Sequence, residues 1–332
     1  MRRLASAVLP CLVLAATLRA QDAEPDPRCS DPSIVGAGLV GSDACEKVKD
    51  LFRYMNPQLG VLIAGGNATL GQGGTLGGPG RFSIGFRANM LQAAIPDIDE
   101  VPVNVGPAVR SSYETTGQLV PMPVFDGALG IFRGFPVGVT HVGGLDLLLN
   151  VAYLPDISDN GIDVTTPDGS WKFGLGARIG ILEEGLVVPG VSVTYQRRDL
   201  PTVSMTATSD DDSVTMNELR VETTAWRVVV SKSFVIFGVA AGIGRDEYDT
   251  STDITYAVND GDVVHRPSEP VPLTQDISRT NMFIDVSMNL ALLKLMVEIG
   301  RVSGGDVATF NILDPSADEA KIYGSVGLRL RL

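Results

Sequence analysis

The chain has 332 residues, a formal net charge of −13 and three cysteines. Such acidity excludes non-specific nucleic-acid binding, which needs a basic surface, and so few cysteines exclude a disulfide-dense scaffold. Mean hydropathy is positive at +0.18, yet beyond the N-terminus no run of about 18 uncharged apolar residues offers a spanning helix.

Residues 1–20 read as a cleaved secretory signal. Arg2 and Arg3 precede the apolar stretch Leu4 to Leu18, and Ala20 supplies a small residue at the cleavage point. Removal takes away three arginines and no acid, so the mature chain is more acidic still. Cys29 and Cys45 remain, and in an oxidising compartment they are expected to pair.

Residues 21–80 form an N-terminal segment ahead of the regular pattern. Residues 21–40 are rich in proline and acid. Asp43 and Glu46 make a capping box, and Ala44, Val48, Leu51, Phe52 and Met55 recur at helical spacing. Asn56-Pro57 ends the predicted helix, which spans 43–55. With one apolar stripe it must dock, either across the periplasmic mouth of a barrel or as a plug inside the lumen. Residues 60–80 are a glycine-rich linker. They lack a Gly-Lys-Ser/Thr ending and a following helix, which excludes a phosphate loop. A short strand within 58–70, with an irregular partner, would add to the strands of the region 81–332.

From residue 81 to 332 the chain alternates with period 2. In 170–181, Trp171, Phe173, Leu175, Ala177, Ile179 and Ile181 share one face. Lys172, Gly174, Gly176, Arg178 and Gly180 share the other. The pattern recurs in 81–90, 120–132, 144–154, 188–198, 214–231, 235–243, 282–290, 293–299 and 321–332. That makes about ten strands, with 10–14 allowed by the linker. Connections near 183–186, 232–233 and 291–292 are short, and those at 92–119, 155–169, 250–276 and 303–320 are long and polar. Short turns on one side and long loops on the other predict an all-β fold, an antiparallel transmembrane β-barrel with apolar faces in lipid and polar faces in the lumen. The competing arrangement is a soluble β-sandwich that buries the apolar faces against one another.

The polar faces supply the candidate lumen residues: Arg87, Asp146, Lys172, Arg178, Arg198, Arg227, Asp285, Lys294, Glu298, Arg329 and Arg331. In a ten-strand barrel these largely pair and fill the interior. The two histidines, His141 and His265, have no partner at metal or triad spacing, so no catalytic set, metal site or cofactor is expected. Asp156, Ser158, Asn160 and Gly161 begin like a calcium loop, but Pro167 stands where the bidentate Glu belongs. The carboxylates at 210–212 and at Asp246, Glu247, Asp249 and Asp253 read as a solvated cluster.

The signal, the helix and glycine-rich lead-in at 43–80, and the hairpins closing on Val326-Gly327-Leu328-Arg329-Leu330-Arg331-Leu332 resemble Gram-negative outer-membrane barrels, and more distantly the FadL-type fatty-acid transporters. Such barrels commonly end in an aromatic residue; here the end is Leu332. The resemblance implies a channel or transporter for small or hydrophobic solutes, gated by the N-terminal segment. Its implied partners are outer-membrane lipid, lipopolysaccharide and the barrel assembly machinery, with no nucleic acid and the solute unidentified. A structural or adhesive barrel with a packed lumen is the other reading.

Overall fold

The computed structural model describes residues 23–30, 40–97, 104, 107–159, 162–209, 212–257, 268–290, 292–305 and 307–331. The signal sequence, Cys11, Asn160, Gly161, Asp210, Asp211, His265 and Leu332 lie outside the described residues.

Ten strands close into one barrel. They are β1 (Phe82–Pro96), β2 (Thr115–Phe132), β3 (Gly144–Tyr153), β4 (Trp171–Leu182) and β5 (Gly190–Asp199). The second half comprises β6 (Asp212–Ser233), β7 (Phe237–Ala257), β8 (Val271–Leu290), β9 (Leu293–Val302) and β10 (Lys321–Arg331). Each strand pairs antiparallel with the next. β1 closes the ring on β10, from Ser83↔Arg331 to Leu91↔Tyr323. No strand forms within 58–70, so the count stays at ten rather than 12 or 14.

The alternation decides which face is wet. On β4, Trp171, Phe173, Leu175, Ile179 and Ile181 are 46–64% exposed, whereas Arg178 between them is 1% exposed. A soluble sandwich would reverse this, so that alternative is overturned: apolar side chains clothe the outside and charges fill the inside. The ten residue steps from Trp171 to Ile181, at ~3.3 Å each and tilted near 40°, cover about 25 Å, the height of an apolar membrane band. Among the described residues no helix is long and apolar enough to cross a membrane, so the crossing is made by strands. Phe86 and Phe125 pair within the band at 5.1 Å, and other aromatics mark its two ends. Tyr153 stacks on Trp171 at 4.6 Å and Tyr195 on Trp226 at 4.5 Å toward the long loops. Phe132 meets Phe135 at 5.3 Å toward the short turns, where Phe82, Phe234 and Phe237 are also exposed.

The long-loop end is built up further. β6, β7 and β8 run for 22, 21 and 20 residues, past the band into a collar whose outer face carries Glu222, Glu247, Asp249 and Asp276. Strand Val203–Ser209 pairs with the collar part of β6, Ile162–Thr165 pairs with that strand, and Ile157–Asp159 with the last. Lys232-Ser233 belong to β6 rather than to a turn; the chain reverses at 234–236, and Lys232 Nζ instead donates to Leu186 O of the adjacent turn at 2.8 Å.

Helix α1 spans Val40–Ala64, not 43–55. It begins before Asp43, so Asp43 caps nothing; its carboxylate accepts from Asn104 N at 2.7 Å and Val109 N at 2.8 Å, tying α1 to the β1–β2 loop. It also continues through Pro57. The carbonyl that Pro57 leaves without a helical donor, Arg53 O, accepts from Gln275 Nε2 of β8 at 3.4 Å. Val61 and Ile63, which resemble a strand in sequence, are 2% exposed on the buried face of α1. Gly65 ends the helix at φ 53°, a left-handed conformation that favours glycine, with Gly65 N bonded to Val61 O at 3.1 Å.

Candidate functional site: the plugged lumen

α1 and residues 65–80 occupy the inside of the barrel. The helix enters under the long loops. Tyr256 Oη donates to Gly41 O at 3.0 Å, Asp50 Oδ2 accepts from Asn311 N at 2.7 Å, and Arg28 reaches Pro272 O at 3.2 Å. Cys29 and Cys45 form a buried disulfide that fastens the leader to the first turns of α1. The chain then descends to Gly78 beside Arg133 and Gly130, near the start of β1 at the short-turn end. The helix sits at the long-loop end, and the segment threads the lumen to the short-turn end.

The plug has two tiers with different chemistry. In the upper tier Val48, Phe52, Val61 and Ile63 of α1 pack in one buried cluster with Val221, Tyr248, Ile254 and Leu273 of the collar strands. In the lower tier the apolar contact is small, Ala68 and Leu76 against Ala128 and Leu148. There the plug has no regular secondary structure, so its backbone groups need partners from the wall.

The wall supplies them: nine of the eleven predicted lumen residues hold the plug, seven through its backbone and two through its side chains. Arg198 donates to Ala64 O, and Arg227 to Gly65 O at 3.1 Å and Gly66 O at 3.2 Å. Arg87 donates to Asn67 O at 2.7 Å and Lys294 to Gly71 O at 2.7 Å. Arg329 holds Gln72 Oε1 at 2.7 Å, and Arg178 holds Thr69 Oγ1 at 2.9 Å. The carboxylates take the amides. Glu298 accepts from Asn67 N at 2.8 Å, Asp285 from Gly71 N at 2.9 Å, and Asp146 from Leu76 N at 3.0 Å. The last turn of α1 carries no basic residue of its own. Arg198 and Arg227 therefore supply the positive charge that a helix C-terminus favours.

Lys172 faces inward but is only half-buried near the outer end of β4, in the electrostatic reach of Asp199. Arg331 pairs with Ser83 in register, and its side chain lies outside the described residues. Several partners were missed by sequence reasoning. Asp126 pairs with Arg87 at 3.0 Å, and Asp246 with Arg227. Asn89 donates to Leu62 O at 3.0 Å and Asn281 to Gly65 O at 3.0 Å. The signal for Asp246 was present in the alternation. It falls on the inward face once β7 is carried past Arg245, and its neighbours Glu247 and Asp249 face out. Among the described residues no cluster of His, Cys, Asp and Glu is arranged to hold a metal. His141 Nδ1 lies 2.6 Å from Glu183 Oε2 at the short-turn end. Outside the membrane band, the hydrogen bond from Arg28 holds the Asp26 carboxyl down to about 2.

Plug and wall are in close contact along this tier. Gly73 passes the wall so closely that a Cβ there would lie 2.7 Å from Ser231 N, a backbone atom that cannot turn aside.

No family model matches the chain, and no curated protein matches it in sequence. Three solved structures resemble it over 76% of its length. One is a deletion mutant of the TodX monoaromatic hydrocarbon channel, at 10% identity, 67% of that chain and a TM-score of 0.32. Another is in-vitro-folded OmpT, an outer membrane protein of Vibrio cholerae, at 7% identity, 96% of that chain and a TM-score of 0.22. The third is the outer membrane channel DcaP of Acinetobacter baumannii, at 10% identity, 96% of that chain and a TM-score of 0.19. At these scores the likeness adds nothing to the barrel described above.

Proposed function

We propose that the chain is an outer-membrane channel for small solutes, closed in this state by its own N-terminal segment. The long loops face the cell surface and the short turns the periplasm. One observation carries the reading. Residues 64–76 are held to the wall by hydrogen bonds and ion–dipole contacts rather than by a large apolar seal. A polar segment leaves a polar lumen without exposing apolar surface, and water replaces each lost bond. The lower lumen is then lined by charges of both signs, which suits small polar solutes over hydrophobic ones.

In this reading the chain is not an enzyme. Lipid and lipopolysaccharide cover the apolar band, and the assembly machinery inserts the barrel through its last strand. The upper tier, packed and disulfide-fastened, favours the second reading, a structural or adhesive barrel that never opens. Bilayer conductance separates the two. The intact chain is expected to be mostly silent, and the chain lacking residues 21–80 to conduct while keeping the faster migration of a folded barrel on an unboiled gel. A folded but silent deletion barrel refutes the channel.

A further inference from the structure

At the short-turn end, a cavity of about 600 Å³ opens beneath the plug. Its walls carry four cationic side chains, Arg81, Arg133, Lys294 and Arg329, and one carboxylate, Glu183. Glu183 is engaged with Arg133 at 3.4 Å and His141 at 2.6 Å. In a chain of net charge −13, whose collar and long loops hold most of the acids, this is a local reversal of sign. Low-dielectric walls focus such a field on a small volume.

Two of the cations also hold the plug. Lys294 Nζ donates to Gly71 O at 2.7 Å, and Arg329 donates to Gln72 Oε1 at 2.7 Å. Both acceptors are neutral. An oxyanion is the stronger partner for an ammonium or guanidinium, since its full negative charge adds a Coulomb attraction that a neutral carbonyl lacks. The cavity is lined by Gln72, Leu76 and Gly77 of the plug itself, so whatever binds there touches both the cations and the segment they restrain.

We propose that this vestibule binds a small solute bearing a carboxylate or phosphate group, and that the bound oxyanion draws Lys294 and Arg329 away from Gly71 and Gln72, unlatching the lower plug. The proposal rests on the channel reading and names the solute class and the trigger. Arg81, exposed at the rim, captures the anion first; Arg133 lines the same cavity from just past the end of the adjacent strand; Lys294 and Arg329 complete its shell at the cost of their plug contacts. No covalent step is involved.

The test uses the full chain in detergent and titrates inorganic phosphate by calorimetry at constant ionic strength, with chloride as the replaced ion. Saturable binding of one phosphate per chain is expected, weakened about tenfold in Arg81→Gln and further in Arg81→Gln/Arg133→Gln. Both substitutions lie away from the barrel's buried network, so the variants fold. Absence of saturable binding, or affinity unchanged in the double variant, overturns the site. Unlatching is read with Leu76→Cys, whose maleimide modification is expected to rise several-fold with phosphate. Binding without that rise overturns the trigger. Repeating the titration in phosphatidylglycerol and in phosphatidylcholine nanodiscs identifies the source. Equal affinity assigns the site to a free solute, and loss of phosphate binding in phosphatidylglycerol assigns it to a lipid headgroup. Binding and unlatching in a chain whose 21–80 deletion stays silent would keep the site and remove the channel. A conducting deletion barrel whose parent binds no phosphate would do the reverse.

Discussion

Replacing Arg227 by Met probes the join between helix and wall. Arg227 is fully buried, paired with Asp246, and donates to Gly65 O and Gly66 O at the end of α1. Breaking a buried pair by removing one partner costs about 3–5 kcal/mol. Asp246 keeps Asn281 Nδ2 at 2.9 Å and Tyr248 Oη at 3.3 Å, which places the loss at the lower end. Gly65 O keeps Asn281, but Gly66 O loses its donor, adding about 1 kcal/mol. The expected total is about 4 kcal/mol. Arg227→Met/Asp246→Leu removes the stranded charge and leaves Gly66 O without a donor and the buried Tyr248 hydroxyl without its acceptor, a loss of about 2 kcal/mol. The assay is urea unfolding in liposomes followed by the fluorescence of Trp171 and Trp226. A single variant within about 1 kcal/mol of the parent, or a double variant as unstable as the single, refutes the argument that the lumen charges are paired and committed to the plug.

Gly73→Val places a side chain against the Ser231 backbone, so the lower plug cannot seat; about 1–3 kcal/mol of stability is lost and conductance events appear in bilayers. Leu175→Arg, on the apolar face, costs about 2–4 kcal/mol when the band lies in lipid, measured by the same unfolding assay, and close to nothing if that face meets water. For the leader, the Asp26 carboxyl is held at about 2, below its ordinary 3.8. Its folded-state value is depressed, so its contribution is full above about pH 4 and is lost as pH falls through 2. Solvent screening limits it to about 1 kcal/mol. Protease cleavage within 23–30 should therefore rise from about pH 4 toward 2 and stay flat from about 5 to 8.

The barrel was legible because its alternation is strict and its strands are continuous. Arg178 between Ala177 and Ile179 marks the polar face, and the short turns at one end with long loops at the other assign that face to a lumen. Nine lumen residues were found for the same reason, since inward direction follows from parity alone. Their partners were not legible. Gly65, Gly66 and Gly71 offer only backbone groups, and glycine-rich sequence reads as linker wherever it runs. The helix boundary failed for a tertiary reason. Pro57 normally ends a helix, but Gln275, more than two hundred residues away, supplies the missing donor. The end at which α1 enters was equally hidden, because the contacts of Asp43 and Asp50 with the long loops leave no local trace.

The central claim is that the N-terminal segment threads the lumen from the long-loop end to the short-turn end. A membrane-impermeant maleimide applied to intact cells tests it most directly. Glu24→Cys lies by the long loops and Leu186→Cys at the tip of a short turn. The account predicts that Glu24→Cys is labelled from outside and Leu186→Cys only after the envelope is opened. Labelling of both sites from the same side of the membrane, whether both in intact cells or both only in broken cells, would contradict it.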